Sequence, residues 1–323
     1  MERLDAFMAR AAAAYYAKGE GIGRDFTTAP EMSQAFGECL GLWAGVTWQA
    51  MGAPSRVVLA ELGPGRGTLM ADALRGVRDV LPGFAAAIEL HLVETSPQLR
   101  AAQRAKLGDA AHWHEGIDTL PPGPAIILAN EFFDALPIRQ FIRRADGWKE
   151  RHVEAGAFAE LPADRAEDAP EGSIREWGEA SEAVMTKLAR RIASQGGALL
   201  ALDYGPAQSG FGDTLQALRG HDRADPLADP GEVDITAHVD FAALAAVARR
   251  TGATPHGPLP MGLFLQRLGL MSRSAMLAQA APRSAGMILS AAQRLVAPEG
   301  MGQLFKALAI AHPALPTPAG FEP

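Results

Sequence analysis

A predicted strand that ends in an unusual glycine turn constrains this chain more than any other stretch. The apolar run 57–60 predicts a buried strand, and glycines then occupy three alternate positions, 63, 65 and 67, before a helical pattern begins. Because glycine has no Cβ, such a turn lets the backbone approach a ligand closely. Open α/β folds bind ligands at the carboxyl ends of their parallel strands, which is where this turn would lie. The stretch therefore predicts an α/β fold with a ligand site at the turn.

The order of the residues in this turn separates classes of nucleotide site. A dinucleotide fingerprint needs glycine at the sixth position, where this chain has Thr68, and a P-loop would end in Gly-Lys-Ser or Gly-Lys-Thr. The run Glu61-Leu-Gly-Pro-Gly-Arg-Gly instead resembles the first motif of class I S-adenosylmethionine (SAM) methyltransferases. In those enzymes the turn passes under the amino-acid end of the cofactor. A sharp strand-to-helix turn without a ligand is the structural alternative.

Composition limits the partners. The 323 residues are enough for one large α/β domain with insertions or for two domains, and a net charge of −7 without a basic block argues against nucleic acid. Cys39 is the only cysteine, which excludes an internal disulfide and disfavours a thiolate metal site. The charged N-terminus, with no apolar run of about 20 residues, predicts a cytoplasmic protein without a membrane span.

The end of the second predicted strand, 88–94, carries an acid. The carboxylate of Glu94 can accept hydrogen bonds from both hydroxyls of a ribose, although an exposed glutamate at a strand end is also common. Thr95 and Ser96 follow and cap the next helix. After a short strand over 111–114, the turn 115–118 lies where such folds contact an adenine. His112 and His114 have no third ligand at metal spacing, so no metal is expected there.

The central apolar strand 125–129 ends in Asn130-Glu131-Phe132-Phe133-Asp134. Polar and aromatic side chains at this position, beside the glycine turn, are the second strong indication of a site. Capping of the following turn by Asn and Asp is the structural alternative. Another central strand, 198–205, also has a polar end at Asp203-Tyr204.

The N-terminal part is predicted to be helical. A helix over 2–18 and a loop over 19–24 precede the segment 25–31, in which Thr28 and Glu31 have capping-box spacing and Pro30 suits a first helical turn. A helix is expected over 29–51. The segment 25–31 is either a simple helix entry or a lid that folds over the ligand.

The sequence pattern changes after residue 137, and residues 138–195 predict an insertion between two strands of the sheet. A hairpin is expected around Ala145-Asp146-Gly147, then a solvated loop over 160–172 and a helix over 174–194.

The C-terminal third combines a loop with helices. After a short strand at 214–218, residues 219–238 predict a long loop, and helices are expected over 241–250 and 261–296, then a last strand over 303–310. Polar residues of the loop region either contact a substrate or are simply solvated: His221, Asp234, His238 and Asp240.

Five segments together resemble the MidA family: 25–38, 61–72, 130–137, 234–240 and 301–306. That family includes the mitochondrial complex I assembly factor that methylates a protein arginine. The resemblance implies a Rossmann-like class I SAM methyltransferase, with a mostly parallel seven-stranded sheet and helices on both faces. It implies an N-terminal helical lid over 1–52 and a methyltransferase domain over 53–323. That domain would contain the insertion at about 138–195 and helical additions at about 255–300.

The resemblance also implies roles for individual residues, with SAM as cofactor and no metal. Expected cofactor contacts are Glu61, Gly63, Pro64, Gly65, Gly67, Thr68, Glu94, Thr95, Ser96, Ile117, Asp118, Asn130, Thr28 and Pro30. An arginine acceptor is a cation that carboxylates must bind, so Glu131 first and Asp134 second are the expected catalytic residues. Expected substrate contacts are Phe132, Phe133, Tyr204, His238 and Asp240, although the two phenylalanines could equally be core.

Three functional classes stay open. The first is a protein arginine methyltransferase acting on a subunit of respiratory complex I, the NADH dehydrogenase. The second is a SAM methyltransferase with a small-molecule or other protein acceptor. The third is a weakly catalytic assembly chaperone, which the intact glycine turn and Glu94 disfavour. A protein substrate is the expected partner, with a homodimer left open, and Thr68 disfavours a nicotinamide dehydrogenase.

Overall fold

Buried apolar segments, several of them with a polar end, form the central strands of the fold. The computed structural model describes residues 1–19 and 28–323. Its strands are, in chain order, β1 (Glu2–Arg3), β2 (Val57–Leu62), β3 (Ile88–Val93), β4 (His112–His114), β5 (Ala125–Asn130), β6 (Arg139–Arg144), β7 (Gly147–Glu154), β8 (Ala157–Ala163), β9 (Ile174–Trp177), β10 (Gly197–Tyr204), β11 (Gln216–Arg219), β12 (Asp222–Ala224), β13 (Asp234–Thr236), β14 (Thr254–Pro260) and β15 (Phe305–Ala311).

The helices follow the apolar periodicity of the sequence. They are α1 (Leu4–Ala17), α2 (Ala29–Met32), α3 (Gln34–Ala50), α4 (Thr68–Arg78), α5 (Pro82–Ala87), α6 (Pro97–Leu107), α7 (Glu179–Gln195), α8 (Phe241–Arg250), α9 (Met261–Arg267), α10 (Leu270–Ala280) and α11 (Ala285–Val296). None of the described helices is long and apolar enough to cross a membrane.

The main sheet has the strand order β14-β15-β10-β5-β2-β3-β4. Strands β10, β5, β2, β3 and β4 pair in parallel, whereas β15 runs antiparallel to both β10 and β14. Parallel strands need crossover connections, and these place helices over both faces. The predicted fold class, a mostly parallel seven-stranded Rossmann-like sheet, is confirmed.

Alternation along the strands divides the core between the two faces. Leu59 and Leu200 face one core with α3, α4, α9 and α11, and Val58 and Leu199 face the other with α7 and α8. On the first face the backbones of α3 and α4 come very close, because a Cβ at Gly41 would lie 2.5 Å from the carbonyl oxygen of Ala73. Each face of the sheet is therefore covered, and the open edge at the strand ends is left for a site.

Two smaller sheets lie beside the main one. Residues 138–177 form β6 to β9, which pair antiparallel and take β1 onto β7, and β11 pairs with both β12 and β13. Helix α1 packs Leu4 and Phe7 into one cluster with Val153 of the first small sheet and Ile235 of the second. The start of the chain is thus part of the wall around the strand ends.

Several predicted elements are wrong in detail. The helix over 29–51 breaks at Ser33, whose backbone is extended (φ −144°, ψ 112°). The capping box is absent, because Thr28 makes no side-chain cap and Glu31 instead accepts a hydrogen bond from the Thr68 hydroxyl (2.5 Å). The predicted loop 19–24 and the lid segment 25–31 fall largely on residues 20–27, outside the described residues.

The insertion and the long loop contain more strand than predicted. Strand β8 extends to residue 163 in the expected loop 160–172, β9 replaces the first turn of the expected helix 174–194, and β12 and β13 lie in the expected loop 219–238. Strand β14 was hidden by Pro255, Pro258 and Pro260, which a sheet accepts only at its edge, where β14 lies. The division of the chain at residue 52 stays a prediction.

Candidate active site

A cleft of about 1010 Å³ opens at the carboxyl ends of β2, β3, β5 and β10. Parallel strands bring their carboxyl ends to one edge, so polar residues far apart in the sequence meet there. The predicted site residues that line it are Thr28, Pro30, Glu61, Gly63, Pro64, Gly65, Thr68, Glu94, Thr95, Ile117, Asp118, Asn130, Glu131, Phe132, Asp134, Tyr204, Asp234 and His238.

Five other predicted site residues lie outside the lining. His221 is exposed in the turn between β11 and β12. Gly67 adopts a left-handed conformation at the start of α4 and faces α6. Ser96 and Asp240 are N-caps, accepting hydrogen bonds from the backbone N–H groups of Leu99 (3.4 Å) and Ala243 (2.9 Å). Phe133 is 2% exposed and belongs to the core under α7 and α8.

The glycine turn is built from left-handed backbone conformations. Gly63, Gly65 and Gly67 have φ of 61°, 52° and 74°, which residues with a Cβ rarely adopt. The backbone N–H of Gly67 donates to the carbonyl of Pro64 (2.7 Å), so the turn closes on itself directly before α4. This bare turn forms one floor of the cleft and could lie against the amino-acid end of SAM.

Glu94 is held in place by its neighbours. Its carboxylate accepts hydrogen bonds from the backbone N–H of Ser96 (2.8 Å) and from Nε2 of Gln103 (3.2 Å). The same Nε2 donates to the carbonyl of Gly65 (2.7 Å), so Gln103 joins the acid to the glycine turn. Gln103 is not among the predicted site residues, and only its place on the helix after Glu94 could have indicated it.

Glu61 carries a buried oxygen without a partner. The residue is 3% exposed, and its Oε2 atom has no hydrogen-bond partner among the described residues. Burial, with the charge of Glu94 adding to it, raises the pKa of Glu61 to about 8. An ammonium group in the cleft would satisfy this oxygen, which is what the amino-acid end of SAM would bring.

The turn expected to face an adenine is supported by histidines. A short 3₁₀ helix, Ile117–Thr119, follows Gly116, where a Cβ would meet open space. Nδ1 of His114 lies 2.9 Å from Oγ1 of Thr119, and Nε2 of His114 lies 2.9 Å from Nδ1 of His91. Burial lowers the pKa of His91 to about 4, so this chain of hydrogen bonds is neutral at pH 7. In the described parts of the chain, no group of three or more His, Cys, Asp or Glu side chains is arranged to hold a metal ion.

Two carboxyl groups line the cleft at the turn that follows β5. Glu131 has φ of 50°, and its Oε1 accepts hydrogen bonds from the backbone N–H of Ala29 (3.3 Å) and from Nδ2 of Asn130 (3.2 Å). Oδ1 of Asp134 has no partner within the described ranges. Loss of solvation raises the pKa of Glu131 to about 8 and that of Asp134 to about 6.

The side chain of Asp203 binds the backbone of the turn that carries Glu131 and Asp134. Its Oδ2 atom accepts hydrogen bonds from three successive backbone N–H groups, those of Phe132 (3.2 Å), Phe133 (2.9 Å) and Asp134 (3.2 Å). The side chain is fully buried. Its place after a buried strand was visible in the sequence, but nothing there indicated that it binds the turn after β5.

Aromatic and polar side chains from distant segments complete the wall. The hydroxyl of Tyr204 donates to Oγ1 of Thr236 (2.7 Å), and the hydroxyl of Tyr16 donates to Oδ1 of Asp234 (2.8 Å). The ring of His238 packs edge-to-face on Tyr204. Lining residues that the sequence did not indicate include Tyr16, Val184, Lys187, Gln216, Leu218, Arg223 and Thr236.

Comparison with known proteins gives consistent matches. Residues 39–259 match a family described as S-adenosyl-L-methionine-dependent methyltransferases. The chain is 35% identical to the protein arginine methyltransferase NDUFAF7 homolog of Drosophila melanogaster, over 92% of this chain and 78% of that one. It is also 35% identical to NDUFAF7 of Danio rerio, over 93% and 80%. Both relatives are named as mitochondrial, so they do not support the predicted cytoplasmic location.

A solved structure matches over nearly the whole chain. It is a protein from Burkholderia thailandensis in complex with S-adenosyl-homocysteine, with a TM-score of 0.83 and 27% identity. The match covers 98% of this chain and 89% of that one. The native structure of a protein from the same organism matches with a TM-score of 0.80 and 28% identity, over 97% and 88% of the two chains.

Proposed function

This chain belongs to the family of S-adenosyl-L-methionine-dependent methyltransferases, and from that premise we propose that it methylates an arginine side chain of a protein. The observation that carries the proposal is the pair Glu131 and Asp134. Both carboxyl groups are desolvated, and one oxygen of Asp134 has no partner among the described residues. Carboxylates in such surroundings favour a cationic ligand, and a guanidinium offers several N–H donors to them.

The cofactor would lie along the other half of the cleft. Glu61 and Asn130 would bind its amino-acid end above the glycine turn, and Glu94 would bind the ribose hydroxyls. Ile117 and Asp118 would flank the adenine. When bound, SAM supplies a methyl group on a sulfonium, which is open to in-line displacement.

The residues of the chain then align and deprotonate the acceptor. Glu131 binds the guanidinium through its N–H groups and directs one nitrogen at the methyl group, while Asp134 holds a second nitrogen. A nitrogen–carbon bond forms as the carbon–sulfur bond breaks, and the proton that leaves the nitrogen passes to the carboxylate of Glu131. Phe132 covers the reacting atoms from water.

The identity of the acceptor protein is a further part of the proposal. Relatives named protein arginine methyltransferase support arginine as the acceptor. A subunit of respiratory complex I follows from the family resemblance and is proposed on that ground alone. A homodimer and a cytoplasmic location stay predictions.

The test is to incubate the purified protein and labelled SAM with a lysate from cells that lack it. We expect a labelled protein band, and peptide mapping should place the label on an arginine. A parallel reaction with Glu131→Gln controls for other methyltransferases in the lysate. Label on a small molecule, or on another residue type, would contradict the proposal.

A further inference from the structure

The backbone of Glu131 is held in a conformation that its residue type disfavours. Its φ of 50° lies in the left-handed region, which a residue with a long side chain enters only when its surroundings enforce it. The N–H of Glu131 still donates to the carbonyl of Leu202 on β10 (2.8 Å), so sheet pairing continues up to this residue. The chain leaves the sheet immediately afterwards, and something must fix the direction in which it leaves.

Asp203 is the group in position to do so. Three successive N–H groups after Glu131 converge on one of its oxygens, and its second oxygen accepts the N–H of Tyr204 (2.9 Å). Successive N–H groups that point at one centre form a site for a strong acceptor, and here the acceptor is a carboxyl oxygen of the neighbouring strand. All four of these backbone donors lie at the junction of the sheet and the cleft.

We propose that Asp203 is a positioning residue, which fixes the turn 131–134 and thereby directs Glu131 and Asp134 into the acceptor end of the cleft. This role rests on the proposed function, because it assigns to Asp203 the geometry of the two acceptor carboxylates. The side chain touches neither cofactor nor acceptor, since it is fully buried beneath the turn.

An amide cannot replace this carboxylate. Both oxygens of Asp203 accept backbone hydrogen bonds, whereas asparagine has one accepting oxygen and one NH₂ group that only donates. In Asp203→Asn the NH₂ group must therefore face either the three donors of the turn or the N–H of Tyr204. The turn should relax, and Glu131 should move away from its aimed position.

The first test compares kinetics and affinity in Asp203→Asn. We expect kcat with the labelled acceptor protein to fall about 100-fold, since misplacing a reacting group by about 1 Å has an effect of that size. The affinity for S-adenosyl-homocysteine should change less than about threefold, because the glycine turn and Glu94 are not touched. The matched control is Glu38→Gln, a buried carboxylate between α3 and α10 that accepts from Arg273 (2.6 Å) and lies outside the cleft. It should leave both values unchanged.

A pH profile separates positioning from a general loss of stability. Titratable neighbours of Glu131 are Asp134 on the same turn, Asp203 on β10 and Asp234 on β13. The acid limb of kcat/KM should shift to lower pH in Asp203→Asn, because burial raises the pKa of Glu131 and a relaxed turn would expose its carboxyl group to water. Wild-type kcat and an unshifted limb in Asp203→Asn would overturn the proposal.

A measurement on the wild-type protein tests the proposal even if Asp203→Asn does not fold or no acceptor protein is identified. Backbone amide exchange of Phe132, Phe133 and Asp134 should be as slow as that of β5 and β10, although these residues lie on a turn beside an open cleft. Fast exchange at these amides would show that Asp203 does not hold them. Failure of arginine methylation would instead refute the proposed function and leave this result standing.

Discussion

The two halves of the cleft are built in different ways. The half proposed to bind the cofactor, called the cofactor half below, is formed by the glycine turn, Glu94 and the turn 115–118. These are short runs that directly follow the strands β2, β3 and β4. The half proposed to bind the acceptor, called the acceptor half below, contains Tyr16 of α1, which is hydrogen-bonded to Asp234 of β13, 218 positions later. Residues at the ends of β5 and β10 line the same cleft. A donor site can thus be specified by local motifs, whereas the acceptor site depends on tertiary packing.

The largest effect is expected in the cofactor half, from Gly65→Val. Gly65 has φ of 52° and lines the cleft, so a branched side chain would strain the backbone and occupy space the cofactor needs. Calorimetry should show the affinity for S-adenosyl-homocysteine reduced at least about 100-fold, with the fold retained. Gly269→Val is the matched control, because Gly269 is also left-handed (φ 81°) but lies at the start of α10, away from the cleft. Unchanged affinity in Gly65→Val would place the cofactor elsewhere.

The acceptor half should respond to Glu131→Gln with loss of transfer and normal cofactor affinity. Removing a general base lowers the rate by about 100-fold to 10000-fold. In the wild type, kcat/KM should rise about tenfold per pH unit below pH 8, because only the ionised carboxylate of Glu131 accepts a proton and burial raises its pKa to about 8. The variant should lose this limb. A fully active variant would remove Glu131 from the mechanism and break the contrast between the halves.

A smaller effect confined to the acceptor half is expected from Tyr16→Phe. The change removes a hydrogen bond to Asp234 worth about 1 kcal/mol, which corresponds to about a fivefold rise in KM for the acceptor. The affinity for S-adenosyl-homocysteine should stay the same when measured under identical conditions. If both affinities fell together, the two halves would not be separable.

The smallest effect should come from Ser96→Ala. Ser96 caps α6 with its side chain, while its backbone N–H, which alanine keeps, holds Glu94. Thermal or chemical unfolding should show a loss of about 1 kcal/mol of stability, with cofactor affinity changed less than about twofold. Asp240→Ala, at the cap of α8, should behave in the same way. A large loss of cofactor affinity in Ser96→Ala would show that the side chain of Ser96 belongs to the cofactor half.

The sheet and the cofactor half were predictable because their signals are local. The apolar runs that became β2, β3, β5 and β10 give strand positions within one or two residues, and parallel pairing then brings their ends together. The glycine pattern and the acid at residue 94 sit next to these strands, so their place in the cleft followed from the fold class. Residue roles within the cleft stay predictions.

The rest depended on packing that no local pattern records. Tyr16 was one residue of an alanine-rich helix, Gln216 was one residue of a short predicted strand, and Thr236 belonged to what resembled a solvated loop. Their strands, β11 and β13, are three or four residues long and are stabilised by packing on α1 through Ile235 and Leu4. Similarly, Glu31 does not form the predicted capping box, and its carboxylate instead accepts a hydrogen bond from the hydroxyl of Thr68, a residue distant in the sequence.

The unpartnered oxygen of Glu61 links the methyl donor to the acidity of the solution. At neutral pH this carboxyl is mostly neutral in the free protein, since its pKa is raised to about 8. A ligand ammonium would favour the ionised form, so each cofactor molecule that binds would displace a proton into the medium. Heats of binding measured in two buffers should differ by the difference between the ionisation enthalpies of the buffers, because each buffer takes up the released proton. Equal heats would show that Glu61 stays neutral when the cofactor binds.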